Sequence, residues 1–263
     1  MIYLGVKGVR DINKIDERLG EEAVNYQNCS MKIIKYNNAN DIIVEFQDEY
    51  RAKVKTQYKH FVCGKVKNPY QPSIYGIGIV GNKYQTHNNQ TGAKEYQLWC
   101  SVLERCFDKD FKRKHSTYQD ATCCDEWLYY ENFYKWLHSQ ENFDKWYKGD
   151  RWAIDKDILI KNNKIYSPET CCLVPQSVNQ LFVRHISKRG NLPIGVSYNS
   201  GKYASKSSRN SLGRYDNIIS AFEVYKRHKE NLIKEVAEIE YSNNNITKQC
   251  YDAMIRYEVE IID

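Results

Sequence analysis

Two aspartates flank a lysine in the stretch Ala-Ile-Asp-Lys-Asp-Ile, at residues 155–157. On a β-strand, residues two apart share one face, so Asp155 and Asp157 are predicted to point the same way. Paired carboxylates are suitable ligands for Mg²⁺, and metal-dependent phosphodiester hydrolysis requires such a site together with a general base. The alternative is that the two aspartates pair with Lys156 or Lys161, or face water, as surface carboxylates commonly do. The residue types leave both interpretations open.

The chain has nine cysteines, and four of them form two adjacent pairs. Structural zinc sites normally use Cys-x-x-Cys spacing, because neighbouring cysteines rarely both point at one ion. We therefore expect free thiols and no zinc, with one buried thiol in each pair packed near a tryptophan. The pairs are Cys123 with Cys124, near Trp127, and Cys171 with Cys172, near Trp152.

Positive charge is concentrated in residues 184–234, which carry eleven Lys and Arg against three acidic residues, whereas the whole chain has a net charge of +6. Lys202 and Lys206 share strand parity and therefore one face. A strand face of this kind can enter a groove of double-stranded DNA, although a solvated sheet face is the alternative. Clustered charge favours nucleic acid. The predicted DNA contacts are Lys202, Tyr203, Lys206, Arg209 and Arg214, with Arg184, Lys188 and Arg189 on phosphates.

The first predicted block, residues 1–86, is a small all-β module that we interpret as a little barrel. Residues 31–36 and 41–46 are rich in β-branched and aromatic residues, and a polar turn separates them, so they predict a hairpin. Residues 60–66 predict a further strand.

The other two blocks, residues 90–184 and 187–263, supply the elements that must position the charged residues. In the middle block, apolar spacing predicts helices over residues 94–107 and 124–140. A β-hairpin with strands 152–160 and 165–174 and a further helix follow. In the last block we expect strands over residues 194–198, 201–208 and 211–215, then a helix over 217–241 capped by Asp216 or Asn217. Residues 251–263 predict a short helix and strand. The predicted fold class is α+β, ending in a three-stranded antiparallel sheet packed on one helix.

The chain start shows no secretory signal, and no apolar run reaches the length of a membrane span. These features predict a cytoplasmic protein with reduced thiols and no membrane partner. Tyrosine is abundant, with 22 residues, and it suits both thin cores and contact surfaces.

Two stretches resemble a known family. The first combines Leu-Trp-Cys-Ser-Val-Leu-Glu-Arg-Cys-Phe, the helix around Cys-Asp-Glu-Trp, and the Asp-Lys-Asp hairpin closed by Tyr-Ser-Pro-Glu-Thr-Cys. The second, from Leu-Pro-Ile-Gly-Val-Ser-Tyr to Ala-Phe-Glu-Val-Tyr-Lys, contains Lys-Tyr-Ala and Leu-Gly. Together they resemble phage-encoded endonucleases of the HNH type with a C-terminal APETALA2-type DNA-binding domain.

The resemblance implies a ββα-metal-like central domain, cleavage of DNA with Mg²⁺ or Mn²⁺, and a setting in the cytoplasm of an infected bacterial host. Asp155 matches the metal-ligand carboxylate, and Asp157 and Glu169 are the other candidate ligands. The general-base histidine of the family is replaced here by Lys156, a poor base because lysine is protonated near pH 7. Lys156 could instead stabilise phosphate charge, and His115 or His185 could supply a base.

Three functions are consistent with the sequence. In the first, the chain is a metal-dependent DNA endonuclease that uses Asp155, Lys156 and Asp157. In the second, it is a DNA-binding protein on a degenerate nuclease scaffold. The third possibility is a phage effector that binds a host protein through its tyrosine-rich surface.

Overall fold

A computed structural model of the chain describes residues 17–88, 91–183, 191–207 and 210–263. It contains both helices and antiparallel sheets, which confirms the α+β fold class. The described residues form two compact units where the sequence suggested three blocks. The first unit runs to Leu103 and includes Leu128–Asn132, and the second comprises Glu104–Trp127 and Phe133–Asp263.

The first unit is built on a four-stranded antiparallel sheet in sequential order. Its strands are β1 Glu22–Val24, β2 Ser30–Asn38, β3 Asp41–Phe46 and β4 Lys53–Thr56. Alternate residues of β2 and β3 are fully buried because a strand points successive side chains to opposite faces. The hairpin predicted from residues 31–36 and 41–46 is thus confirmed. The sheet is open, with β1 and β4 as its edges, rather than closed into the barrel that we expected.

The predicted strand at residues 60–66 is wrong, because a short helix, α1 Tyr58–Val62, occupies its first half. Phe61 is 1% exposed and belongs to the apolar cluster of the sheet, so packing of one ring outweighs the local β preference. Gly64 ends the turn with a φ of +64°, a conformation that suits glycine. The first unit is therefore not all-β.

The next elements along the chain begin with helix α2 Lys94–Phe107. The helix predicted at residues 94–107 is thus confirmed with the same bounds. The second predicted helix, residues 124–140, is a 3₁₀ turn at Asp125–Leu128 followed by an α-helix. The short strands here are β5 His87–Asn88, β6 Thr91–Gly92 and β7 Thr122–Cys123. The further helices are α3 Lys109–Lys114, α4 Tyr130–His138 and α5 Phe143–Lys148.

The hairpin that contains Asp155 lies in the second unit. Its paired strands are β8 Trp152–Asp155 and β10 Cys172–Pro175, and helix α6 Gln176–Leu181 follows directly. The antiparallel register places Cys172 opposite Asp155. The strand β9 Ile165–Tyr166 does not pair within the hairpin as predicted, but runs parallel to β7. The chain between β8 and β10 is thus a long loop rather than a tight turn.

The last elements are a three-stranded sheet and two helices. The strands are β11 Val196–Asn199, β12 Lys202–Ser207 and β13 Asn210–Tyr215, and the helices are α7 Ile218–Ser242 and α8 Lys248–Ile255. The predicted N-cap is confirmed, because the Asn217 side chain accepts a hydrogen bond from the Ser220 backbone N–H at 2.8 Å. After α8 the structure has no strand among residues 256–263, contrary to the prediction.

Helix α7 packs on two different neighbours. Its first half contributes Ala221, Phe222 and Tyr225 to the apolar cluster under the three-stranded sheet. Its second half contributes Ile233 and Ala237 to a separate cluster with the hairpin and α8. One continuous helix therefore packs against both the β8–β10 hairpin and the three-stranded sheet.

Candidate nucleic-acid interface

The carboxylate of Asp155 shapes the chain immediately after β8. Its Oδ1 accepts hydrogen bonds from the backbone N–H groups of Asp157, at 2.7 Å, and Ile158, at 2.8 Å. Such a bond to the residue two positions on bends the chain, so the strand ends at Asp155. Asp157 consequently lies outside the strand, and the prediction that both carboxylates share a strand face is wrong. Burial raises the pKa of the Asp155 carboxyl above its usual range.

Lys156 closes the loop that follows. Its side chain is almost fully buried, and its Nζ donates to Asp157 Oδ2 at 2.6 Å and to the Asn163 backbone oxygen at 2.9 Å. The Asn163 side chain returns a bond to the Lys156 backbone oxygen at 2.8 Å. Lys156 and Asn163 therefore tie the two ends of the loop together. The ammonium does not face solvent, where a phosphate would have to reach it.

A divalent cation would compete with bonds that the hairpin already makes. Asp155 Oδ1 serves two backbone donors, and the Asp157 carboxylate is paired with the Lys156 ammonium. Glu169 is exposed. In residues 17–88, 91–183, 191–207 and 210–263, no three His, Cys, Asp or Glu side chains are arranged to hold a metal ion. The contacts of Asp155 and Asp157 are those of residues that hold a loop in place, rather than those of ligands to Mg²⁺ or Mn²⁺.

The two histidines considered as alternative bases do not complete this site. His115 is exposed after α3, where its ring lies 4.4 Å from the Phe111 ring, and no hydrogen bond joins it to Asp155 or Asp157. His185 lies outside the described residues.

All nine cysteines lie in the described part of the chain, and all are free thiols, as predicted. The expectation of one buried thiol in each pair is wrong, because Cys171 and Cys172 are both buried whereas Cys123 and Cys124 are both partly exposed. Cys172 Sγ lies 3.9 Å from the Sγ of Cys250 in α8, a partner that sequence spacing does not suggest.

The two faces of the three-stranded sheet carry different residues, one face packing on α7 and the other facing away from it. Val196, Tyr203 and Tyr215 belong to, or pack against, the apolar cluster that includes α7. Strand alternation then places the neighbouring residues on the opposite, outer face. The register aligns Ser197, Ala204 and Arg214 across the three strands. The outer face of the sheet therefore presents Lys202, Lys206 and Arg214, with Ser197 and Ala204 between them.

The basic residues of this outer face differ in their pairing. Lys202 forms an ion pair with Asp216 at 2.9 Å, but both side chains are largely exposed, so the pair contributes little to stability. Lys206 and Arg214 are exposed and make no ion pair within the described part of the chain. They are free to contact an anionic partner.

The structure separates the remaining predicted DNA contacts from this face. Tyr203 lies on the helix side of the sheet, with its ring 4.9 Å from the Tyr198 ring, and so is not grouped with Lys202, Lys206 and Arg214. Arg184, Lys188, Arg189 and Arg209 fall outside the described residues. The sequence interpretation missed Ser197 and Ala204, which lie on the outer face between the cations; Ser197 is exposed, whereas Ala204 is buried. Only the cross-strand register reveals them.

Comparison with known proteins yields no match to a protein-family model, a curated protein or a solved structure. No helix among the described residues is both long enough and apolar enough to cross a bilayer. Any functional conclusion must therefore be built on the geometry of the sheet and the hairpin.

Proposed function

We propose that the chain is a DNA-binding protein that contacts the phosphate backbone through the outer face of the sheet β11–β13. The observation that supports this most directly is the pair of exposed cations, Lys206 and Arg214, without acidic partners among the described residues. Adjacent strands are about 4.8 Å apart, and residues two apart on one strand about 6.7 Å, so cations on this face can reach successive phosphates. The helix behind the sheet keeps this face rigid.

The same proposal assigns the Asp-Lys-Asp hairpin a structural role. Lys156 stands where the resembled endonucleases have a base, and its ammonium is buried against Asp157 and Asn163. A buried, ion-paired ammonium can neither accept a proton nor approach a scissile phosphate. The hairpin is thus best explained as a nuclease-type scaffold that supports the loop and packs on α7. A phage origin and an infected bacterial host belong to this proposal through the resemblance alone.

Supercoiled plasmid provides the test, since it reports binding and cleavage on one gel. With Mg²⁺ or Mn²⁺ present, we expect a retarded band that salt abolishes, because phosphate contacts release counterions, and no nicked or linear product. An Asp157→Asn variant should give the same pattern. Nicked product that disappears in this variant would instead support the metal-dependent endonuclease. The absence of any retarded band at low salt would contradict DNA binding and favour a protein partner.

A further inference from the structure

A cavity of about 500 Å³ opens in the second unit, lined by residues from the end of helix α5, the start of strand β8 and the end of helix α7. All of its lining residues lie within that unit. Small-molecule sites in proteins have volumes of roughly 300–1,000 Å³, so this cavity has room for a ligand. Neither Lys206 nor Arg214 lines it, and it is therefore separate from the outer face of the sheet β11–β13.

One wall of the cavity is flat and apolar. Trp152, the first residue of β8, lies directly opposite Pro175 of β10, so their side chains are neighbours on one face of the hairpin. Both residues are partly buried. Gly149 lets the backbone approach the edge of the indole, because a Cβ at this position would lie 2.6 Å from Trp152 Nε1. The wall thus offers an aromatic surface on which another planar ring can stack.

The rest of the lining is largely charged, with three basic and three acidic side chains: Lys145, Lys148, Arg151, Asp144, Asp150 and Glu240. Two of these six are already engaged. Lys145 Nζ donates to Asn245 Oδ1 at 3.1 Å, and Glu240 Oε2 accepts from Asn245 Nδ2 at 2.6 Å. The other four are exposed and form no ion pair with any residue that the structure describes. The cavity therefore presents free charges of both signs.

Arg151 lines this cavity with a strained backbone. Its φ is +59°, in the left-handed region that most residues with a Cβ avoid. The Gln176 N–H holds this conformation by donating to the Arg151 backbone oxygen at 2.7 Å. The guanidinium is exposed, and within the described ranges no carboxylate pairs with it. Strained residues concentrate at functional sites, so Arg151 points to a contact with a ligand.

We propose that the cavity binds a nucleoside monophosphate whose base carries an exocyclic amine. Lys148 and Arg151 contact the phosphate, for which a guanidinium is well suited because it forms paired hydrogen bonds. The base stacks on Trp152. Asp144 lies one helical turn from Lys148 on the same side of α5, and its carboxylate accepts a hydrogen bond from the amine.

The charges distinguish this ligand from a simple anion. Asp150 lies between the two cations in the sequence and repels a phosphate that has no further contacts. Together with Asp144 it makes the exposed charged lining neutral, so the ligand must combine an anionic group with a hydrogen-bond donor. A nucleotide does so, and it also supplies the planar ring that stacks on a tryptophan.

Isothermal titration calorimetry on the full chain tests the ligand class with three probes. We expect deoxycytidine monophosphate to bind at one site per chain, and deoxyuridine monophosphate to bind roughly tenfold more weakly, because a carbonyl replaces the amine that faces Asp144. Inorganic phosphate should bind more weakly still. Absence of deoxycytidine monophosphate binding, or equal affinity for either other probe, would overturn the proposal. No duplex is present, so the result does not depend on DNA contact by the sheet.

An Arg151→Gly variant separates binding from folding. Glycine adopts a positive φ without strain, so the midpoint of guanidinium chloride denaturation should not fall, whereas affinity for deoxycytidine monophosphate should fall about tenfold. Lys148→Ala changes an exposed residue and should also weaken binding. Lys135→Ala removes an exposed cation of α4 outside the cavity and should keep the parent affinity. Parent affinity in both cavity variants would contradict the phosphate contact.

A single-stranded pentanucleotide of deoxycytidine distinguishes a free nucleotide from an unpaired nucleotide of DNA. Affinity about tenfold above that of the monophosphate, and reduced in the Arg151→Gly variant, would identify a DNA strand as the source of the ligand. Equal or lower affinity would identify the free nucleotide. Higher affinity that Arg151→Gly leaves unchanged would place strand binding elsewhere on the chain, and the cavity would then take the free nucleotide alone.

Discussion

A Lys156→Met variant is expected to lose about 2–4 kcal/mol of its free energy of unfolding, because it removes a buried ammonium with two hydrogen-bond partners. Met keeps most of the apolar packing of the side chain but cannot donate to Asp157 Oδ2 or to the Asn163 backbone oxygen. Lys156 is only 5% exposed, so water cannot readily replace the lost donor. Denaturation by guanidinium chloride, monitored by tryptophan fluorescence, measures the change.

Lys164 provides the matched control, since it is an exposed lysine in the same loop. A Lys164→Met variant should change the free energy of unfolding by less than about 0.5 kcal/mol, as is usual for exposed positions. If the two variants were equally stable, Lys156 would not close the loop, and its ammonium would again be available for contact with a phosphate.

A Gly195→Ala variant is expected to lose about 2–6 kcal/mol of its free energy of unfolding, the second large effect. Gly195 has a φ of +75°, and an added Cβ would lie 2.0 Å from Cδ2 of the Tyr225 ring in α7. The strained backbone costs about 1–3 kcal/mol, and the steric overlap adds about 1–3 kcal/mol. Chemical denaturation measures the loss, and amide hydrogen exchange should show reduced protection in β11.

Gly201→Ala isolates the backbone contribution to this loss. Gly201 has a nearly identical φ of +76°, but nothing lies within 4 Å of the position that its Cβ would occupy. We expect only the backbone cost of about 1–3 kcal/mol, without the steric contribution. Equal costs at the two glycines would mean that the close approach of Tyr225 does not constrain the start of β11.

The sequence alone was sufficient to predict the bounds of a helix where the spacing of apolar residues is regular. The helix Lys94–Phe107 has one continuous apolar stripe, and the helix Ile218–Ser242 has a stripe together with an asparagine cap, so their bounds were predicted within a residue or two. The segment at residues 60–66 misled the prediction, because its β-forming residues fold into α1. The burial of Phe61 against the sheet decides that helix, and single-sequence propensity does not contain this long-range contact.

In the candidate site, too, features set by neighbouring residues could be predicted from the sequence, whereas features set by strand pairing could not. Alternation along β12 places Lys202 and Lys206 together, and the same alternation puts Tyr203 on the other face. The alignment of Arg214 with Ala204 depends on strand pairing and on a register shift near Ser205, which the sequence does not reveal. Likewise, the bond from Lys156 to the Asn163 backbone joins residues seven apart through a loop whose path could not be predicted.

DNA affinity measured as a function of salt tests the central claim most directly. Fluorescence anisotropy with a labelled duplex would compare the parent protein with a Lys206→Ala/Arg214→Ala variant between about 50 and 200 mM salt. A Lys53→Ala/Lys55→Ala variant removes two exposed cations from β4, where both are paired with carboxylates, and serves as the control. We expect the slope of log K against log salt to become shallower by about two in the first variant, and the control to keep the parent slope. A parent-like slope in the Lys206→Ala/Arg214→Ala variant would remove the outer sheet face from the interface and contradict the account.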